Sequence, residues 1–156
     1  MVGAKAEHAG IIKAGAQLVS AVSCSDVPHI SIILGASYGA GNYAMCGRAY
    51  KPRFLFTWPT GRCSVMGPDQ LAGVMEQIQT AKAKADNLSP EQIKERTAQF
   101  KSQVTKDAEC YSTSGMLIDD GIIDPRDTRD VLGMCLEVVG GTRKSASTAF
   151  GLLARI

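Results

Sequence analysis

The sequence is poor in the residues that most often carry chemistry or cross membranes, and each shortage removes a class of function. Histidine occurs only at His8 and His29 in 156 residues, too few imidazoles for a multi-histidine metal site. Cysteine occurs at Cys24, Cys46, Cys63, Cys110 and Cys135, an odd number with no C-x-x-C pair. That spacing indicates neither a disulfide framework nor a zinc knuckle; a reducing compartment suits it, and each cysteine reads as a small buried hydrophobe. No apolar run approaches the roughly 20 residues that span a bilayer, and residues 1–13 lack the basic start and apolar stretch of a signal peptide, so a soluble protein is expected. Charge of one sign is also scarce. With a formal net charge of +2 and acids and bases interspersed, no broad field is available for nucleic acid or an anionic membrane surface.

What is present is a globular composition, 45% hydrophobic, in a length that suits one domain with a real core. Ile11, Gly15, Leu18 and Val22 recur at helical spacing, and Pro28 is expected to end that helix. His29-Ile30-Ser31-Ile32-Ile33-Leu34 reads as a strand buried on both faces. A glycine-rich turn follows over 35–42, then a short helix over 43–48. Phe54-Leu55-Phe56-Thr57-Trp58 and Arg62-Cys63-Ser64-Val65-Met66 read as strands separated by the turn residues Pro59-Thr60-Gly61. Gly67-Pro68 opens a helix with Leu71, Val74, Met75 and Ile78 on its apolar face, and the polar stretch 80–87 after it reads as solvated. Ser89-Pro90-Glu91-Gln92 matches a capping box for a helix carrying Ile93, Thr97, Phe100 and Val104. Asp119-Asp120-Gly121 is a turn, Ile122-Ile123 a brief extended piece, and Asp124 caps a last helix with Val131, Leu132, Cys135 and Val138 as its stripe. Strands alternating with helices make an α/β domain, without detectable internal repeat.

The turn Gly35-Ala36-Ser37-Tyr38-Gly39 has the form G-x-S-x-G after a strand, where the nucleophile elbow of a serine hydrolase would sit. In the α/β-hydrolase order the partner histidine follows the serine, and none follows Ser37. Phosphate binding at a helix start is a second reading, although neither G-x-x-x-x-G-K-[ST] nor G-x-G-x-x-G is present. In the third, two backbone N–H groups at a helix start form an oxyanion hole for an enolate and need no side-chain nucleophile. A tight turn requiring positive φ and close packing would account for Gly35, Gly39 and Gly41 without any catalytic role.

A longer string surrounds that turn: Gly39-Ala40-Gly41-Asn42-Tyr43-Ala44-Met45-Cys46-Gly47-Arg48-Ala49-Tyr50, then Pro52-Arg53-Phe54-Leu55, Trp58-Pro59 and Ser64-Val65-Met66-Gly67. It resembles the carboxyltransferase β subunit of biotin-dependent acyl-CoA carboxylases, methylcrotonyl-CoA carboxylase in particular. The resemblance extends to Gly10-Ile11, Lys13, Gly15-Ala16, Leu18-Val19 and Ala21-Val22 and to Asp119-Asp120-Gly121-Ile122-Ile123-Asp124-Pro125 with Asp127-Thr128-Arg129. Thr60-Gly61 departs from the usual asparagine-alanine, Pro68-Asp69 from glycine and an acid, and residues 144–156 match weakly.

The resemblance implies a crotonase-like α/β fold in which residues 1–156 form part of the C-terminal, carboxybiotin-side domain, with Met1-Val2-Gly3 falling mid-domain. It implies a carboxyl group passed from biotin, carried on a partner, to an acyl-CoA through enolates stabilised by backbone donors, with no metal in this domain. Those donors fall on Ala40 and Gly41, with Tyr38, Gly39, Asn42 and Tyr43 lining the biotin and acyl pocket. Gly41 is expected to need positive φ or close approach of the biotin ring, and Arg48 and Arg53 to form structural ion pairs. Implied partners are an N-terminal carboxyltransferase domain, a second β subunit and a biotin carboxylase or carrier subunit, in the cytoplasm of a bacterium or the mitochondrial matrix of a eukaryote. A non-catalytic assembly or carrier-docking module is the alternative.

Overall fold

The computed structural model describes residues 3–86 and 89–140; Met1, Val2, Asn87 and the weakly matching 144–156 lie outside the described residues. Helix α1 (Ala4–His8) turns through Gly10, at φ 90°, into α2 (Ile11–Ser23). Helix α2 stops well short of Pro28, because Ser23 Oγ donates to the Ser20 carbonyl and Ser25 Oγ accepts from Val27 N–H, drawing the chain into a turn.

Strand β1 (Ile30–Ile33) pairs in parallel with β3 (Phe54–Thr57), Ile30 opposite Phe54, and β3 pairs in parallel with β5 (Gly121–Ile122). A second parallel pair joins β2 (Ala36–Tyr38) to β4 (Arg62–Ser64), Ala36 opposite Arg62. The expected strands 54–58 and 62–66 therefore do not pair with each other: each enters a different sheet, as do β1 and β2. Two strands followed by a helix is thus a recurring unit, β1-β2-α3 (Gly39–Ala44) and then β3-β4-α4 (Pro68–Asp86), although no sequence repeat announces it. Both changes of sheet are fixed by turn chemistry. Thr60 Oγ1 donates to the Leu34 carbonyl at 2.6 Å, and Arg62 N–H donates to the Gly35 carbonyl at 3.0 Å. A Cβ at Gly61 would lie 3.0 Å from the Ile33 and Trp58 carbonyls, so Thr60-Gly61 serves this crossing. Strand β1 is at a sheet edge and is not buried on both faces: only Ile33 is buried, the rest being half-covered.

Helix α4 runs through the expected polar stretch to Asp86, its second half built from alanine and lysine, both strong helix formers. Its inward face is Leu71, Ala72 and Met75, while Val74 and Ile78 are exposed. Helix α5 (Pro90–Asp107) packs beside it behind the expected capping box: Gln92 N–H donates to Ser89 Oγ at 3.3 Å and Ser89 N–H to Gln92 Oε1 at 3.0 Å. Ile93 is buried on that helix and Asp69 pairs with Lys101 between the two. Helix α6 (Cys110–Gly115) has no counterpart in the sequence reading, since only Cys110 and Thr113 are buried and no apolar period marks it. Asp124 caps a 3₁₀ turn, Pro125–Asp127, which feeds α7 (Thr128–Gly140); there Cys135 is buried and Val138 exposed, Val139 facing inward in its place. The core gathers Leu55 and Thr57 of β3 with Ile33, Cys46, Ala108 and Cys110.

Candidate functional site

The second sheet exists to deliver the chain into α3. Tyr38 ends β2 and is the residue before the helix, with no side-chain cap; its ring lies against Gly67, where a Cβ would sit 3.5 Å away. Gly39 follows at φ 55°, and a Cβ there would lie 3.1 Å from the Val65 carbonyl, so both conformation and space call for glycine. The helix begins at Gly39, four residues earlier than expected, and is closed by Cys46 at φ 59°; Arg48–Tyr50 is a separate 3₁₀ turn.

Ala40 and Gly41 occupy the first turn of α3, where N–H groups have no acceptor within the helix, and both are exposed. Gly41 is not the positive-φ residue: that role belongs to Gly39. A Cβ at Gly41 would meet nothing within 4 Å. Asn42, half-buried, donates through Nδ2 to Ser37 Oγ at 2.9 Å and to Cys63 Sγ at 3.5 Å. Tyr43 is 49% exposed and stands edge-on to Tyr50, ring centroids 6.0 Å apart.

Gly39, Asn42 and Tyr43 form one wall of an open groove of about 530 Å³, completed by Val65, Val104 and Met116. Tyr38, Ala40 and Gly41 share that helix start but are not among the residues that line this mostly apolar groove. Ser37, whose hydroxyl accepts from Asn42, has no histidine as hydrogen-bond partner among the described residues.

The charges near the groove support the fold. Arg48 donates to Asp120 at 2.7 Å and, through Nε, to the Ile118 carbonyl at 3.0 Å, the ion pair expected of it. Burial works against the Asp120 carboxylate, but hydrogen bonds from Arg48 and Leu55 N–H, with the Arg48 charge, outweigh it and hold the carboxyl below its ordinary value. Arg53 makes no ion pair among the described residues and instead lies over the Phe54 ring, 5.7 Å from its centroid. Burial, reinforced by Asp119, pushes the Cys63 thiol up, which keeps it protonated and unreactive at neutral pH. Sequence reasoning treated Asp119 as a turn residue, but it is buried and accepts from Thr57 Oγ1 at 2.7 Å; only an acid following an apolar residue hinted at it. Among the described residues no group of acids, histidines or cysteines is placed to hold a metal, and no helix is long and apolar enough to cross a membrane.

Residues 1–150 match the family model of the carboxyl transferase domain. The chain is 47% identical over 154 residues to a probable biotin-dependent acyl-coenzyme A carboxylase beta2 subunit of Mycobacterium tuberculosis, covering 97% of this chain and 29% of that protein. It is 49% identical to the mitochondrial methylcrotonoyl-CoA carboxylase beta chain of Arabidopsis thaliana, covering 97% of this chain and 26% of that one. The solved β subunit of the P. aeruginosa geranyl-CoA carboxylase superposes with a TM-score of 0.82 at 35% identity, over 99% of this chain and 29% of that subunit. The chain therefore spans less than a third of the length of these relatives.

Proposed function

The chain belongs to the carboxyl transferase domain family, and from that membership we propose that it forms the carboxybiotin side of the transfer site in a biotin-dependent acyl-CoA carboxylase. The observation that carries this reading is the start of α3: two successive exposed residues, Ala40 and Gly41, whose N–H groups have no acceptor in their helix, followed directly by Asn42 and Tyr43 in the wall of an apolar groove. Biotin, carried on a partner subunit or domain, would supply a transferable carboxyl group. The open space at Gly41 fits the approach of a flat ring to the backbone. Ala40 and Gly41 would donate to the oxygen on which negative charge develops, an arrangement worth roughly 3 to 4 kcal/mol per donor in comparable holes. Gly39 lets the chain turn into that position, Tyr38 and Asn42 support it, and Tyr43 forms the wall facing an acyl group.

The acyl-CoA would be methylcrotonyl-CoA or a similar branched thioester, with its CoA held mainly by an N-terminal carboxyltransferase domain. A second copy of the subunit and a biotin carboxylase or carrier subunit complete the set of partners, in bacterial cytoplasm or the mitochondrial matrix. The test is acyl-CoA-dependent carboxyl transfer by a full-length subunit carrying this sequence, supplied with carboxylated biotin. Transfer to a branched short-chain acyl-CoA is expected, and no transfer to any acyl-CoA would overturn the proposal. The same protein should resist labelling at Ser37 by a fluorophosphonate, which a serine hydrolase would accept.

A further inference from the structure

Asn42 stands in the wall of the groove, yet its side chain is committed to the protein. An amide nitrogen carries two protons. One goes to Ser37 Oγ on β2, at 2.9 Å, and the other is directed at Cys63 Sγ on β4, at 3.5 Å. The backbone carbonyl of Asn42 meanwhile accepts from Gly47 N–H at 2.8 Å, beyond the far end of the helix. One residue thus joins the strand that enters α3, the neighbouring strand and the loop that leaves it.

Helix α3 needs such ties. It has six residues, fewer than two turns, and the residue before it offers no side-chain cap. A helix that short has no stability of its own, so its orientation is set by whatever holds it. Asn42 packs closely on Gly47: a Cβ built there would lie 2.7 Å from the side-chain Cγ of Asn42 and 2.8 Å from its backbone carbonyl oxygen. With φ −69°, Gly47 is glycine for space and not for conformation.

We propose that Asn42 is a positioning residue: through Ser37, Cys63 and Gly47 it fixes the direction of the Ala40 and Gly41 N–H groups and does not itself touch substrate, a reading that rests on the function proposed above. The Ser37 hydroxyl, which sits where a nucleophile would in the G-x-S-x-G pattern, then has its own use as the anchor for this amide.

A double-mutant cycle in the full-length subunit tests the proposal. Asn42→Ala should lower kcat by about tenfold to a hundredfold, the scale of a small misplacement of reacting groups, with KM for acyl-CoA within about threefold. Ser37→Ala should cost less than about tenfold, and the double variant no more than Asn42→Ala alone, because the bond between them can be lost only once. Fully additive losses, or a rise in KM in place of the fall in kcat, would mean that Asn42 binds substrate directly and would overturn the proposal.

A second measurement needs no turnover. In the 156-residue chain the amide chemical shifts of Ala40 and Gly41 should move together in Asn42→Ala and in Ser37→Ala. In Asn42→Asp they should stay closer to wild type, since the Ser37 and Cys63 protons can turn toward the new carboxylate. Unmoved shifts in Asn42→Ala, or equal displacement in Asn42→Asp, would refute the clamp. If the wild-type subunit transfers no carboxyl group, the proposed function fails, while these shifts still decide whether Asn42 orients the two donors.

Discussion

Neighbouring glycines in one turn have opposite reasons for being glycine. Gly39 has φ 55° and a Val65 carbonyl 3.1 Å from where a Cβ would be, so Gly39→Ala should cost about 1 to 2 kcal/mol from the left-handed backbone alone, read as a lower thermal midpoint. Gly41 is helical and faces open space. Valine is a better helix former than glycine, so Gly41→Val should melt no lower than wild type. In a full-length subunit the same change should reduce carboxyl transfer on the order of a hundredfold to a thousandfold, because the branched side chain fills the approach to the donors. A rate near wild type, or a loss that merely follows unfolding, would remove Gly41 from the site. The sequence indicated that this turn mattered and left Gly41 either positive φ or close approach of a ring; only Gly39 has the positive φ, since spacing does not reveal which peptide of a G-x-G pair starts the helix.

Between elements, specific polar ties fix how neighbouring parts of the chain meet. The capping box at the head of α5 predicts that Ser89→Ala lowers stability by about 1 kcal/mol, measured by urea unfolding, while helix content stays close to wild type. The Arg48–Asp120 pair joins the turn after α3 to the start of β5. Because Asp120 is held below its ordinary value of 3.8 in the folded protein, its contribution is complete above about pH 5 and disappears as pH falls through that lowered value. Arg48→Met should therefore destabilise most near neutrality, and its difference from wild type should shrink in pH-dependent unfolding as the pH falls below the ordinary carboxylate range. Such ties also mark what could be read in advance. Strands β1, β3 and β4 and the cap of α5 were legible, because short runs bounded by proline and glycine turns and the Ser-x-x-Gln pattern are local signals. Which sheet each strand joins was not, since pairing depends on the Thr60 and Gly61 contacts with β1, which are remote in sequence. Helix α6 was missed because Tyr111 and Ser114 interrupt any apolar period, and its burial rests on two small side chains.

At the scale of the molecule, the groove beside α3 is open, and its rim carries apolar side chains bare to water: Val65 is 87% exposed and Met116 59%. Exposed apolar side chains grouped around a groove are what a binding surface presents before its partner arrives. Openness also bears on catalysis. Backbone donors stabilise a developing negative charge strongly only where water is excluded, since the Coulomb interaction weakens severalfold between a protein interior and bulk solvent. The described surface offers one wall and one pair of donors, and the chain spans less than a third of the length of its carboxylase relatives. The 156-residue chain by itself is therefore expected to give no acyl-CoA-dependent loss of carboxyl from carboxybiotin, although it should fold with the capped α5 and the clamped α3 intact. Adding the portion of a relative's β subunit that this chain does not cover, as a separate polypeptide, should restore transfer and reduce the exposure of Val65 and Met116, followed by hydrogen exchange at the flanking amides. Robust turnover by the isolated chain would mean that both sides of the site lie within it, and the assignment of Ala40 and Gly41 to the carboxybiotin side alone would fall.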